Sequence, residues 1–188
     1  MILVIAEQQG GTLNRASLEV VAAAQQAGGS VKVAVLGDEV AAVAQALSAA
    51  EVAEVLQVQS PVLDTYTLDG FVAALAQIVE AEQPDVVFLP HTYQTRDCAP
   101  ALAVRLNRAL VTDCVGTKSQ DGRLLFVRPM FQGRLYAEVA PTGPALATFQ
   151  IGAVRADSMK TGTAPAPIRV VMAGMAAGDI SQKPDAPV

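Results

Sequence analysis

The sequence has 188 residues, the size of one domain, and its 52% hydrophobic content is enough for a sizeable buried core. A formal net charge of −5 argues against a surface for nucleic acids or anionic membranes, because those partners require clustered positive charge. No run of about 18 apolar residues and no signal peptide is visible, which predicts a cytoplasmic protein without a membrane span. Cys98 and Cys114 lack a C-x-x-C spacing and are expected to be reduced, buried thiols.

The first half of the chain alternates predicted strands with predicted helices. Short apolar runs predict strands at 2–6, 31–36, 54–58 and 85–90. Apolar residues at helical spacing predict helices at about 14–27, 39–50, 67–82 and 97–109. Four strand–helix units in a row predict a parallel sheet with right-handed crossovers, covered by helices on both faces.

Capping residues indicate where the predicted helices begin and end. Gly28 suits the left-handed conformation that closes the first helix, and Asp38 is the predicted N-cap of the second. Pro100 is expected in the first turn of the fourth helix, where its missing N–H breaks no hydrogen bond.

After about residue 110 the pattern changes to strands joined by short turns. Further strands are expected at 111–117, 124–130, 135–140, 145–151 and 168–172. Gln120-Asp121-Gly122 predicts a hairpin turn, so part of this half should form a small antiparallel ribbon beside the main sheet. We therefore predict a three-layer α/β/α domain over 1–172, with a mostly parallel, doubly wound sheet, followed by a loose tail or linker at 173–188.

Polar loops follow two strands that should be neighbours. Glu7 and Gly10-Gly11 come after the first strand, and the segment 91–97 comes after the fourth. In a sheet with strand order 3-2-1-4 these loops face each other across the crevice where ligands bind in doubly wound folds. The candidate site residues are therefore Glu7, Gly10, His91, Thr92, Arg96 and Asp97.

Each of these residues also has a structural interpretation. The two glycines would let an anion approach the backbone, but they match no phosphate-binding motif and Glu7 would repel a phosphate, so a plain turn is the alternative. His91 is the only histidine; it cannot form a metal site alone and could simply anchor its loop. Arg96 either pairs with an acid or reaches toward an anion in the crevice, and Asp97 could cap the fourth helix.

Several motifs match a known family in their order and spacing. They are Pro84-Asp85-Val86-Val87-Phe88-Leu89-Pro90-His91-Thr92, then Arg96-Asp97 with Ala99-Pro100, and Arg128-Pro129-Met130-Phe131-Gln132-Gly133. They resemble the N-terminal domain of the electron transfer flavoprotein alpha subunit, over about residues 1–160. The family pattern differs at Thr95, Ala101 and Arg134, where it has glycine, arginine and asparagine.

The resemblance implies a fold similar to that of adenine-nucleotide-binding proteins and a supporting role. Family members continue into a second, FAD-binding domain, whose glycine-rich segment is not found in 173–188. FAD is therefore expected in the intact family complex but not tightly on this chain alone. The implied partners are a beta subunit and, through the complex, acyl-CoA or other dehydrogenases, with no catalysis by this domain. Two alternatives stay open: a stand-alone adenine-nucleotide-binding module, and a small enzyme that uses Glu7, His91 and Asp97 for acid–base chemistry.

Overall fold

The computed structural model describes residues 1–176, 178 and 180–182, and these residues form twelve strands and four α-helices. In chain order the strands are β1 (Ile2–Ala6), β2 (Gln8–Gln9), β3 (Thr12–Leu13), β4 (Val31–Gly37), β5 (Glu54–Gln59), β6 (Val86–Pro90), β7 (Ala109–Cys114), β8 (Gly116–Gln120), β9 (Arg123–Met130), β10 (Leu135–Val139), β11 (Ala145–Phe149) and β12 (Ile168–Met172). The helices are α1 (Arg15–Ala27), α2 (Ala41–Leu47), α3 (Leu68–Glu82) and α4 (Tyr93–Leu106).

Seven strands form one sheet in the order β12-β5-β4-β1-β6-β11-β7, and every neighbouring pair in it is parallel. The order β5-β4-β1-β6 confirms the predicted arrangement 3-2-1-4, so the crevice expected between β1 and β6 lies at the switch point of the sheet. The later strands extend the sheet at both ends, because β11 and β7 follow β6 while β12 pairs with β5 at the far edge.

The helices and a small ribbon cover both faces of this sheet, which confirms the predicted three-layer α/β/α fold. Helices α1 and α2 pack on one face and α3 and α4 on the other, because the strands are apolar on both sides. Strands β8, β9 and β10 form the antiparallel ribbon beside α1. Phe126 of β9 ties this ribbon to the sheet, since its ring centroid lies 5.8 Å from that of Phe88.

Two predicted helix starts were wrong. Helix α4 begins at Tyr93 rather than near residue 97, because Thr92 caps it by accepting a hydrogen bond from Thr95 N at 3.1 Å. Pro100 consequently lies inside the helix, on its exposed side, and not in the first turn. Helix α2 begins at Ala41, and its N-cap residue is Val40 rather than Asp38.

The hairpin turn expected at Gln120-Asp121-Gly122 is confirmed. Gln120 pairs with Arg123 across the turn, and both central residues have positive φ, at 50° for Asp121 and 73° for Gly122. These angles match the mirror-image turns that suit the twist of a hairpin, and they explain why Asp-Gly is used there.

Strand β12 is fixed to the sheet by a charge cluster at the amino-terminal ends of the strands. Arg169 donates to Glu54 at 2.8 and 2.9 Å and to Glu82 at 2.5 Å, while Lys32 contacts both carboxylates at 2.9 and 2.7 Å. These cations, Arg169 first, lower the pKa of Glu54 to about 2.

The segment after β12 was predicted to be a loose tail or linker, and part of it contacts α3. Ser181 donates its backbone N–H and its hydroxyl to Asp69 Oδ2, both at 2.7 Å, and Gln182 Oε1 accepts from Leu68 N at 2.6 Å. Residues 177, 179 and 183–188 of this segment lie outside the described residues. The domain boundary at 172 stays a prediction. Within the described residues, no helix is long and apolar enough to cross a membrane.

Candidate functional site

The loops after β1 and β6 meet at the carboxyl-terminal edge of the sheet, as the sequence predicted. They border an open crevice of about 900 Å³. Its wall includes Glu7, Gly10, Thr92 and Tyr93, together with Tyr66 and other residues of the loop that precedes α3. The described residues that line it include no lysine, arginine or histidine, which makes the crevice a poor place for a phosphate.

Glu7 is the centre of the hydrogen bonds at this crevice. It is only 8% exposed, and its Oε1 accepts from the hydroxyls of Thr92 and Thr95 at 2.5 and 2.8 Å, while Asn14 Nδ2 lies 3.5 Å from Oε2. Burial raises the pKa of the Glu7 carboxyl, and the three side-chain hydrogen bonds oppose that rise. The carboxyl group is therefore already occupied by partners from its own chain.

These hydrogen bonds connect strand β1 to the starts of two helices. The Thr92 hydroxyl donates to Glu7 and accepts from Thr95 N, so the carboxylate orients the group that caps α4. At the other helix, Ser17 accepts from Glu7 N at 2.8 Å and donates to Glu7 O at 3.1 Å, and Asn14 Oδ1 accepts from Ala16 N at 3.0 Å. Glu7 thus acts as a brace between β1, α1 and α4.

Gly10 and Gly11 form the turn between the short strands β2 and β3. Their φ values of 55° and 75° are those of a tight hairpin, and Gly11 N donates to Gln8 Oε1 at 2.9 Å. Helix α1 begins only at Arg15 and is capped by Asn14, so its N-terminus is separated from the glycines. This arrangement supports the plain-turn interpretation over phosphate binding.

His91 faces away from Glu7, toward β7 and β11. Its Nδ1 lies 2.7 Å from Thr148 Oγ1, and that hydroxyl also accepts from Asp113 N at 3.0 Å. Thr148 therefore has its proton free to donate to Nδ1, which favours the tautomer with hydrogen on Nε2, 3.9 Å from Asp113 Oδ1. Burial lowers the pKa of His91 more than Asp113 raises it, and the charges of Arg96 and Arg128 lower it further.

Neither Arg96 nor Asp97 is among the described residues that line the crevice. Arg96 is exposed and lies over the ring of Tyr93, 5.7 Å from its centroid. Asp97 does not cap α4; it lies within the helix and accepts from the hydroxyl of Tyr66 at 2.7 Å. Among the described residues, Glu7, His91 and Asp97 make no hydrogen bonds to one another, so the structure does not assemble them as an acid–base group.

The structure also identifies residues that the sequence analysis did not select: Thr95, Asn14, Thr148 and Asp113. Thr148 carried a detectable signal, because it is the one polar residue in the buried run Ala145-Leu146-Ala147-Thr148-Phe149. Asp113 carried none, since its role depends on its left-handed backbone (φ 60°) and on the register shift where β7 pairs with β11.

Metal and thiol chemistry receive no support from the described part of the chain. It contains no group of three or more His, Cys, Asp or Glu residues that could hold a metal ion. Cys98 and Cys114 are free and buried, and burial raises the pKa of each thiol to about 12. Both thiols are therefore protonated at neutral pH and weakly reactive. Their burial is as the sequence predicted.

Comparison with known proteins identifies one family. The family model described as "Electron transfer flavoprotein domain" matches residues 2–174. The chain is 31% identical to an electron transfer flavoprotein subunit alpha of Bacillus subtilis, over 85% of this chain and 50% of that protein. A subunit alpha of Thermoanaerobacterium thermosaccharolyticum is 31% identical over 73% of this chain and 43% of its own length. An acryloyl-CoA reductase electron transfer subunit beta of Anaerotignum propionicum is 28% identical over 73% of this chain and 45% of its own length. The chain thus spans about half the length of these relatives.

Proposed function

Because the chain belongs to the electron transfer flavoprotein domain family, we propose that it is a non-catalytic scaffold domain of an electron transfer flavoprotein alpha subunit. In this role it pairs with a beta subunit and supports the FAD-binding part of the complex. Electrons pass from acyl-CoA or other dehydrogenases to a respiratory acceptor without chemistry on this chain. The observation that carries the proposal is the family match over residues 2–174.

The geometry of the crevice supports a scaffold role rather than catalysis. A general acid or base must have a proton-exchanging atom directed toward a substrate. Glu7 Oε1 instead accepts from Thr92 and Thr95, and His91 Nδ1 is bonded to Thr148, so His91 Nε2 is the one ring nitrogen without a hydrogen bond to a described residue. These bonds hold the ends of β1, β6 and β11 in fixed positions, which is what a surface for another subunit requires.

We also propose that the chain alone does not hold FAD tightly and that the protein is cytoplasmic. The pyrophosphate of FAD requires positive groups or several converging backbone N–H groups. The described lining of the switch-point crevice offers Glu7 and Asp64 and no cationic side chain. A cytoplasmic location agrees with the free thiols of Cys98 and Cys114.

One observation favours a second candidate, a stand-alone adenine-nucleotide-binding module. The crevice lies at the topological switch point, where doubly wound folds bind nucleotides, and its volume of about 900 Å³ is sufficient for one. Calorimetry with AMP, ATP and FAD tests this candidate directly. Saturable heat with any of them would favour it over the scaffold role, and no heat would remove it.

The main test is co-expression with the beta subunit of the same organism, with an affinity tag on one chain only. We expect the two chains to co-purify and to elute together in gel filtration at equal stoichiometry. An unrelated α/β domain carrying the same tag is the control for non-specific capture. Failure to co-purify, with a chain that unfolds cooperatively on heating, would contradict the proposal. So would a stoichiometric flavin spectrum from the purified chain alone.

A further inference from the structure

A second polar group lies at the carboxyl-terminal edge of the sheet, on the side of the antiparallel ribbon. His91, Asp113 and Thr148 form its floor, at the ends of β6, β7 and β11. Arg128, near the end of β9, is close enough to influence the pKa values of both His91 and Cys114 by its charge. We refer to His91, Asp113, Arg128 and Thr148 together as the ribbon recess.

Arg128 has a buried hydrogen-bond donor without an acceptor. Its Nε atom is shielded from solvent, and no described residue accepts from it. Side chains alternate along a strand, so Arg128 lies on the same face of β9 as Phe126, which packs against Phe88. The stem of Arg128 is therefore directed toward the sheet, beneath the ribbon.

The other charged groups of the recess do not satisfy this donor. Asp113 supplies the carboxylate of the recess, but Asp113 Oδ1 lies 3.9 Å from His91 Nε2. Arg128 makes no ion pair among the described residues. A buried donor without a partner destabilises a protein, and more so when the group is charged. The residue as a whole is only half-buried, and its terminal Nη atoms also make no hydrogen bond to a described residue. A carboxylate from another protein could therefore pair with these Nη atoms, although the shielded Nε is out of its reach.

Exposed apolar side chains lie on the same ribbon as Arg128. The turn between β9 and β10 carries Phe131, which is 70% exposed. Leu135 is 60% exposed and pairs with Met130, so both lie on the same face of the ribbon as Arg128. Arginine and aromatic side chains beside apolar ones are the typical composition of a protein interface.

Charge indicates the chemistry of the partner. The protein is acidic overall, with a net charge of −5, yet Arg96 and Arg128 lie close enough to His91 to lower its pKa and make no ion pair among the described residues. A guanidinium presents its donors in a fork that fits a carboxylate. Charge complementarity therefore favours an acidic protein segment with an apolar neighbour.

We propose that the ribbon recess binds a carboxylate side chain of a partner protein, with Arg128 as its main contact and Phe131 and Leu135 packed around it. The inference rests on the proposed function, under which the partner is the beta subunit. It goes further by assigning the contact to one guanidinium and to the tip of the ribbon.

The experiment measures the affinity of the beta subunit for variants of the full chain. Arg128→Met keeps the apolar stem but removes the charge and the donors. We expect the dissociation constant to rise about 30-fold or more, as when one member of a buried charged pair is removed. Arg123→Met is the matched control, because Arg123 lies at the opposite end of the same strand and is exposed; its affinity should stay within about 2-fold.

Phe131→Ser provides a second readout that does not depend on the interior of the protein. Phe131 is exposed, so folding should be unaffected while affinity falls about 10-fold. If the wild-type chain binds but Arg128→Met and Phe131→Ser bind as tightly as Arg123→Met, the recess inference is wrong and the scaffold role stands. If the folded wild-type chain does not bind the beta subunit at all, the proposed function and the inference fail together.

Discussion

The switch-point crevice and the ribbon recess lie at the same edge of one sheet, but they differ in whether their buried polar groups have hydrogen-bond partners. In the crevice, the carboxylate of Glu7 is matched by two threonine hydroxyls and the amide of Asn14. In the recess, Thr148 satisfies His91 and Asp113 N, while Arg128 Nε has no described acceptor. The comparison teaches that position at a strand end does not by itself make a binding site. What matters is whether the local donors and acceptors are already used.

The crevice also shows how a place that binds ligands in other doubly wound folds can instead hold the protein's own elements together. A carboxylate at the end of β1 repels phosphate, and here it caps the neighbouring helix indirectly through Thr92. Each hydrogen bond adds modest stability, but removing the shared acceptor leaves several buried donors unpaired at once. The crevice should therefore be sensitive in folding experiments, and the recess should be sensitive in binding experiments.

The largest expected effect is that of Glu7→Ala on stability. It leaves the hydroxyls of Thr92 and Thr95 without their acceptor and loosens the cap of α4, so the free energy of unfolding should fall by about 3 kcal/mol. Urea denaturation measures the change. Glu7→Gln is the control, since its single oxygen can accept from both threonines and the loss should be below about 1 kcal/mol. Equal losses of stability in both variants would contradict the role of Glu7 as a brace.

The pH dependence of stability, compared between wild type and Glu7→Gln, tests the same group further. Burial raises the pKa of Glu7 in the folded protein, so the folded state holds its proton more strongly than the unfolded state. Wild-type stability should therefore decline, relative to Glu7→Gln, as pH rises from the ordinary carboxyl pKa of about 4.5 through the folded value. A constant difference between the two proteins from about pH 4 to pH 7 would contradict the raised pKa.

The next largest effect is that of Thr148→Val in the recess. Thr148 is 1% exposed, and the isosteric valine removes the acceptor for Asp113 N and the donor for His91, at a cost of about 2 kcal/mol. Thr117→Val is the control, because the Thr117 hydroxyl makes no hydrogen bond to a described residue. His91 is the only histidine, so its NMR titration is unambiguous, and its pKa should shift in Thr148→Val but not in Thr117→Val. An unchanged His91 titration would exclude the proposed tautomer.

At the amino-terminal edge of the sheet, stability depends on charge rather than hydroxyl groups. Arg169 first, and then Lys32, lower the pKa of Glu54 to about 2, so its contribution is complete above the ordinary carboxyl pKa and is lost as pH falls toward 2. Between about pH 6 and pH 3 the wild type should lose about 1.5 kcal/mol more than Glu54→Gln, allowing for the partial exposure of Arg169. Glu138→Gln, in an exposed pair with Lys118, should follow the wild type. Parallel acid curves for wild type and Glu54→Gln would refute the effect.

The smallest expected effect on stability is that of Arg128→Met. Removing a buried charged donor that has no acceptor should leave the free energy of unfolding within about 1 kcal/mol of wild type, or raise it. Thermal unfolding of the isolated chain measures this. A large loss would show that Arg128 supports the fold, and would remove the contrast between a saturated crevice and an unsaturated recess.

Local patterns in the sequence determined much of the fold. Apolar runs located the parallel strands, the Asp-Gly turn located the ribbon, and the rules of crossover topology placed β1 beside β6. The resemblance of the motifs to electron transfer flavoproteins agrees with the family match. These features could be predicted because each depends on residues close in sequence or on a general rule of chain connectivity.

The tertiary structure decided which polar groups meet. Nothing in the order of residues shows that Glu7 accepts from the hydroxyls of Thr92 and Thr95, that β11 inserts between β6 and β7, or that Arg128 Nε is shielded from solvent without an acceptor. Such contacts join residues far apart in the chain, and their existence depends on strand order and register. A single sequence reports which residues prefer burial, whereas the partners of a buried polar group are chosen only when the strands pack.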